Sequence, residues 1–130
     1  MIYFESNFLD ISYDESINAV IMNWKSFTTF DELKQGLNKG LELLASKKAR
    51  KWLGNVCKLG ALGEDEQRWS NNDWFPRALA AGVKKMAVVV STDIFNQMTV
   101  EEIMVKIPEI DLNSQTFDNF DKAYYWLKAS

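Results

Sequence analysis

Residues 52–90 contain two apolar runs, Trp52-Leu53-Gly54-Asn55-Val56-Cys57 and Met86-Ala87-Val88-Val89-Val90. Both runs have the length of strands, and the second is rich in the β-branched residues that strands favour. The chain between them is polar and has a helical pattern, so the stretch predicts one βαβ unit. Strands joined by such a crossover run parallel and are covered on both faces. The stretch therefore indicates an α/β fold.

Three shorter strands are predicted before this unit, at residues 2–4, 9–13 and 19–24. In the second, Leu9, Ile11 and Tyr13 alternate with polar residues, as in a strand that is buried on one side. The third is almost continuously apolar, which is typical of a central strand. Because a short polar turn separates the second strand from the third, we expect the three to form an antiparallel meander.

A long helix is predicted after the third strand. Thr29 and Glu32 have the spacing of a capping box, which marks its start. An apolar stripe then recurs at intervals of three and four residues: Phe30, Leu33, Leu37, Leu41 and Leu44. Such a stripe predicts that the helix covers one face of the sheet.

Two other sets of residues have helical spacing. Gly36 and Gly40 share one face of the first helix. They indicate either a close approach to a neighbouring element or a groove that faces a ligand. Met98, Ile103 and Met104 are apolar, and we interpret them as core packing rather than as an adaptable binding surface.

Further helices are expected at residues 64–69, 72–82, 99–106 and 120–128, with a helical turn at 93–97 and a short edge strand at 115–117. Asn72 or Asp73 is expected to cap the second of these helices, and Thr99 to open the third. Asp118 or Asn119 is expected to cap the last. The order predicts an α/β domain spanning residues 1–130. Its mixed β-sheet has antiparallel N-terminal strands followed by βαβ units, and about four helices cover it.

Composition and charge narrow the class of protein. Of the 130 residues, 47% are hydrophobic and 25% charged, as in soluble globular domains. The formal net charge of −3 argues against nucleic acid as a partner. No apolar run is long enough to span a bilayer, and because residues 1–5 lack the pattern of a signal peptide, we expect none. Its one cysteine, Cys57, cannot form an intrachain disulfide, so we expect a cytoplasmic protein.

The chain contains no histidine, which excludes Ser-His-Asp and Cys-His catalysis within it and removes the usual nitrogen ligand of zinc sites. Cys57 adjoins Lys58, but free cysteines are mostly buried apolar residues, and we favour that interpretation over a catalytic thiol. The acidic residues Glu64, Asp65 and Glu66 match a helix N-terminus. We therefore expect no enzyme, no metal and no cofactor.

Five blocks of sequence carry a family resemblance: Gly40-Leu41-Glu42-Leu43-Leu44, Lys51-Trp52-Leu53, Trp69 through Asp73-Trp74-Phe75-Pro76-Arg77-Ala78, Met86-Ala87-Val88-Val89-Val90 and Tyr125-Trp126-Leu127. Together with the order of elements, they resemble the STAS / SpoIIAA-like superfamily. Its members include anti-sigma-factor antagonists and the C-terminal domains of sulfate transporters. The chain is most similar to an uncharacterised, stand-alone bacterial branch of that superfamily. The resemblance implies a SpoIIAA-like fold and a regulatory binding role.

One departure from the regulatory members concerns their phosphorylation switch. The resemblance would place an Asp at the end of the fourth strand and a phosphorylatable Ser or Thr in the next loop. Here Asn55 stands near the Asp position, and residues 55–69 contain no Ser or Thr. A phosphate switch needs such a hydroxyl, so the mechanism is not transferred to this chain.

An aromatic block with nearby cations is the candidate binding surface. Trp69, Trp74 and Phe75 would supply apolar contact, and Lys58 and Arg77 would supply charge pairing. We expect this surface on the loop after the fourth strand and the helix that follows. The alternative is that Trp74 and Phe75 form the core face of that helix.

Two functional hypotheses follow. The first is a non-enzymatic binding or regulatory module whose partner is another protein. The second is a carrier or sensor of a small apolar, anionic or lipid-like ligand, with membrane association as one option, because the bacterial branch has been compared in shape with CRAL-TRIO lipid carriers. A carrier requires an apolar pocket of at least about 300 Å³ between the first helix and the sheet. An exposed terminal strand also leaves pairing with a second copy open.

Overall fold

The computed structural model describes residues 1–129, which contain six strands and five α-helices. The strands are β1 (Ile2–Glu5), β2 (Leu9–Asp14), β3 (Ala19–Trp24), β4 (Lys51–Asn55), β5 (Lys85–Val89) and β6 (Asn113–Phe117). The helices are α1 (Phe30–Lys47), α2 (Glu64–Trp69), α3 (Phe75–Ala81), α4 (Ile94–Met104) and α5 (Phe120–Lys128). A π-helical segment, Ser70–Trp74, joins α2 to α3, so the helices form four continuous stretches.

The strands form one mixed sheet in the order β1-β2-β3-β4-β5-β6. β1, β2 and β3 are antiparallel neighbours, and β3, β4, β5 and β6 run parallel. The register places Val20, Trp52 and Met86 side by side on adjacent parallel strands. The predicted meander, the βαβ unit and the coarse α/β class are therefore confirmed.

Helices cover the two faces of the sheet unequally. The three parallel crossovers step in the same direction across the sheet, and right-handed connections then place their helices on one face. The larger core lies there, beneath α1, the α2–α3 stretch and α4. On the opposite face, α5 packs over β4, β5 and β6, with Ala123 and Leu127 buried against Leu53 and Ala87.

The two glycines of α1 allow the helix to lie close to the sheet. A Cβ at Gly40 would lie 2.5 Å from Trp52 Cη2 and 2.6 Å from Met22 Sδ. A Cβ at Gly36 would meet side chains of β2 and β3 at similar distances. The prediction of a close approach is confirmed, and the glycines face packed side chains rather than a groove. The capping box of Thr29 and Glu32 is also present.

The helical stretch over residues 64–81 continues where the sequence predicted a break. No new helix starts at Asn72 or Asp73, the two residues that were expected to cap one. The Phe75 N–H donates to the Ser70 carbonyl five residues back, which forms the wide π turn. The Ser70 hydroxyl donates to the Glu66 carbonyl at 2.9 Å instead of capping. Asp73 forms an ion pair with Arg77, one turn later in α3. The Ser70 and Asp73 side chains therefore bond within the helical stretch instead of capping a new helix.

The predicted start of a helix at Thr99 is also wrong. α4 begins earlier, with Asp93 as its cap, and runs through the whole of residues 94–104. The Thr99 hydroxyl donates to the Phe95 carbonyl within the helix, at 3.2 Å. At the last helix, Asn119 rather than Asp118 provides the cap by accepting from the Lys122 N–H.

The two edges of the sheet differ. At β1 the register with β2 shifts by one residue between Ile2 and Phe4, as in a β-bulge, which bends a strand locally. At β6 the pairing with β5 is regular over residues 113–117, and most of its side chains are exposed. The expected edge strand is confirmed and is two residues longer than predicted.

Candidate functional site

Two of the five predicted surface residues lie in the core. Trp74 is 2% exposed and Phe75 is 7% exposed. The Trp74 indole N–H donates to the Leu37 carbonyl at 3.0 Å, and its ring meets those of Trp52 and Phe75 edge-on, with centroids 5.0 and 4.9 Å away. Their place on an exposed binding surface is therefore wrong, because this helical stretch directs both rings onto the sheet.

Trp69 and Arg77 lie on the helical layer, where both contact α1. Trp69 is half-buried, and its ring lies edge-on to that of Phe30. The Arg77 guanidinium donates to Asn38 Oδ1 at 2.8 Å and to Asp73 Oδ2 at 3.0 Å, so it connects α3 to α1. The five predicted residues consequently do not form one surface.

Lys58 lies at the carboxyl ends of the parallel strands. It is exposed on the loop that follows β4. An open cleft of about 500 Å³ lies there, lined by residues 25–27, 57, 58, 60 and 91–93, from the chain that follows β3, β4 and β5. We call it the carboxyl-edge cleft. Ligands of open α/β sheets bind outside the carboxyl ends of the strands, so the cleft is in the expected place for a site.

Asn96 holds the walls of the carboxyl-edge cleft together. Its side chain is 1% exposed and donates to the carbonyls of Val56 and Gly60, at 3.0 and 2.9 Å. Its amide oxygen accepts from the Ser91 N–H at 3.1 Å. Asn96 is not among the residues predicted from the sequence. It lies four positions before Val100, which places both on the buried face of α4. This spacing is the feature of the sequence that could have identified Asn96.

Phe27 also packs against the loop that follows β4, at Gly60. Gly60 has a positive φ of 82°, and a Cβ there would overlap the Phe27 ring at Cε1. A glycine is therefore required on both conformational and steric grounds. Because Gly60 contacts Phe27 and accepts a hydrogen bond from Asn96, the loop links Phe27 to the first turn of α4.

Exposed apolar side chains lie at the carboxyl-edge cleft and next to it: Phe27 lines the cleft, and Ile94, Phe95 and Met98 follow its lining residue Asp93 in the first two turns of α4. Phe27 is 78% exposed, Ile94 62%, Phe95 65% and Met98 46%. We call these four residues the carboxyl-edge patch. The interpretation of Met98 as core is wrong, because Val100 and Ile103 occupy the buried side of α4 and Met98 lies on the other. Grouped exposed apolar residues of this kind mark interaction sites.

An apolar cavity of about 90 Å³ lies inside the larger core, between the sheet and the helices. Trp74 and Phe75 line it, together with Trp24, Trp52 and Gly54. The volume is well below the roughly 300 Å³ at the lower end of ligand pockets for drug-sized molecules. A whole lipid therefore does not fit this space.

The shifted titrating groups do not converge on one site. Burial raises the pKa of the Cys57 thiol, while Lys58 acts in the opposite direction, so the thiol stays protonated near neutral pH. The pKa values of Asp14 and Lys85 are lowered, but these two residues lie at the amino ends of the parallel strands, whereas Cys57 follows the carboxyl end of β4. Within residues 1–129, no group of three or more His, Cys, Asp or Glu is placed to hold a metal ion.

Comparison with known proteins found no matching family model, no matching curated protein and no matching solved structure. Across residues 1–129, no helix combines the length and the apolar character that crossing a membrane requires. Function is therefore inferred from the residues and their arrangement alone.

Proposed function

We propose that this chain is a non-enzymatic binding module of the STAS / SpoIIAA-like type, whose partner is another protein. The observation that carries the proposal is the carboxyl-edge patch. Four large apolar side chains are exposed on the chain after β3 and on the first two turns of α4, which follow the carboxyl ends of parallel strands, where α/β proteins usually bind. The buried side chain of Asn96 is hydrogen-bonded to the loop after β4, which contacts Phe27.

The composition of the patch favours a protein partner. Phenylalanine and methionine are enriched at protein interfaces, whose centres are apolar and whose rims are polar. Lys58 is exposed on the same loop and would lie at the rim, where a charge orients the partner and raises the rate of association. With no Ser or Thr in residues 55–69, binding would not depend on phosphorylation of this loop.

A catalytic role finds less support. Cys57 lines the carboxyl-edge cleft, but its raised pKa leaves the thiol protonated, and the chain offers no histidine to act as its base. The lipid-carrier alternative also finds less support, because the apolar cavity is too small for an acyl lipid.

Site-directed photocrosslinking tests the proposal in the native host. Benzoylphenylalanine replaces Phe95 in one variant and Tyr125 in the control. Both side chains are 65% exposed, aromatic and helical, but Tyr125 lies on α5. We expect a discrete protein adduct from position 95 that position 125 does not give. The adduct should be lost when Phe27→Ser is added and retained when Arg77→Ala is added.

Two results would overturn the proposal. Equal adducts from positions 95 and 125 would show that crosslinking reports general exposure. An adduct of twice the chain's own mass, with no other protein attached, would replace the foreign partner with a second copy of the chain.

A further inference from the structure

The 90 Å³ cavity lies inside the apolar core, and its own lining is also mostly apolar. Its one polar lining side chain is Ser70, and that hydroxyl already donates to the Glu66 carbonyl. The Trp74 indole N–H is likewise paired with the Leu37 carbonyl. The Ser70 hydroxyl and the Trp74 N–H therefore have backbone partners, and most of the remaining lining is apolar, so the cavity does not hold water well.

Gly54 opens the floor of the cavity. It lies in β4 on the same face as Trp52, and a Cβ there would sit 3.6 Å from Trp52 Nε1 and 3.9 Å from Trp52 Cδ1. Those are ordinary contact distances, and Gly54 has no positive φ. Alanine would therefore fit. A glycine inside a central strand weakens that strand, and one that packing does not require marks close approach by another group.

The other interior glycines show the contrast. At Gly36 and Gly40 a Cβ would lie 2.5–2.6 Å from neighbouring side chains, so packing forbids it. At Gly54 the missing methyl group leaves unfilled volume instead. This volume adjoins the rings of Trp52 and Trp74, which offer flat apolar walls.

The cavity also has a route to solvent. Leu37, Leu62 and Met104 line it and are each partly exposed. Met104 is unbranched and adapts readily to a guest. A cavity of about 150 Å³ accepts benzene in other proteins, so this smaller one admits a guest of that size only with a modest displacement of its wall.

We propose that this cavity binds a small uncharged apolar molecule, no larger than a single aromatic ring, with Gly54 at the floor and the rings of Trp52 and Trp74 at the walls. The site is separate from the carboxyl-edge patch, so either can fail without the other. Charged molecules are excluded, because the lining offers them no counter-charge.

Benzene is the probe, with benzoate as a charged control of similar size. We expect benzene to raise the thermal midpoint of the wild-type chain in a concentration-dependent way, and benzoate to have no such effect. Gly54→Ala reduces the space by one methyl group and should weaken benzene binding about fourfold. Val100→Ala enlarges the same cavity and should strengthen it by a similar factor.

The location of binding is read from methyl NMR spectra, after circular dichroism has shown that each variant folds. Benzene should shift the methyl signals of Leu33 and Val88, which line the cavity, and leave those of Leu53 and Leu127 on the opposite face unchanged. The proposal is overturned if benzene has no effect on the wild type. It is also overturned if the wild type and Gly54→Ala respond equally, or if the shifts fall on both faces.

Discussion

The ammonium group of Lys85 lies 2.8 Å from the carbonyl oxygen of Trp126 and 4.2 Å from the centre of that residue's ring. Lys85 is the first residue of β5, and Trp126 is in the last turn of α5. From β4, the Lys51 ammonium donates to the Leu127 carbonyl at 2.7 Å. Two parallel strands thus supply cations to carbonyls at a helix C-terminus, where the helix dipole favours them.

Replacing Lys85 with methionine should destabilise the fold by about 1 kcal/mol, because it removes a charge-assisted hydrogen bond and a cation–π contact but keeps an apolar stem. Urea unfolding measures the change. Lys84→Met is the control, since Lys84 precedes the strand and is exposed. Equal losses in the two variants would show that the contact with Trp126 contributes nothing.

Asp14 should make stability depend on pH in acid. Its carboxylate accepts from the hydroxyls of Ser16 and Tyr124, at 2.6 and 2.9 Å. The Ser16 bond, above all, lowers the pKa of Asp14 below its usual 3.8, although burial opposes the shift. Because the pKa of Asp14 is lower in the folded state, the stability that its carboxylate contributes is present above pH 3.8, the usual pKa of an Asp side chain. It is lost as the pH falls below that value, through the folded-state pKa.

The Ser16→Ala variant tests this assignment. Carbon-13 titration of the Asp14 carboxyl should give a higher pKa in Ser16→Ala than in the wild type, because the strongest stabilising bond is gone. Asp14→Asn should remove the corresponding part of the loss of stability in acid. An unchanged Asp14 titration in Ser16→Ala would assign the shift to another group.

Gly40→Ala should destabilise the chain by up to about 2 kcal/mol, although alanine is the better helix former. The gain in helix propensity is about 1 kcal/mol, and overpacking against Trp52 and Met22 costs about 1–3 kcal/mol. Gln35 is exposed in the same helix, so the difference between Gln35→Gly and Gln35→Ala measures propensity alone. A Gly40→Ala variant that gains as much stability as that difference would contradict the close packing.

Asn96→Asp should destabilise the fold by at least about 2 kcal/mol, because a carboxylate cannot donate to the carbonyls of Val56 and Gly60. Asn72→Asp introduces the same change at an exposed position and should have little effect. Hydrogen exchange at the Gly60 amide should accelerate only in Asn96→Asp. If both variants exchange alike, Asn96 does not hold the loop.

The strands were predictable because their patterns are local. Residues 19–24 are almost continuously apolar and residues 86–89 are wholly apolar, each for about the length of one strand, and the alternation in β2 matches its one buried face. The turn at residues 70–74 was less predictable. Its Asn and Asp residues, followed by Pro76, have the composition of a helix start, but the chain forms a π turn that only backbone hydrogen bonding reveals.

The candidate surface was harder to predict than the core. Phe27 stands alone in a loop, so no periodicity distinguishes its exposed ring from a buried one. α4 carries apolar residues on both sides, which removes the usual contrast between a polar and an apolar face. Trp74 and Phe75 could belong to a core or to a binding surface by composition, and tertiary packing decides between them.

The register shift in β1 makes this edge of the sheet less suited to strand addition than a regular strand would be. A fibre that grows by strand addition needs two receptive margins on every subunit, and a bulged outer strand is a poorer template for the next chain. β6 is regular and uncovered along its outer side. Two copies joined edge to edge through β6 alone would form a closed pair, because a filament needs a second receptive edge on every copy.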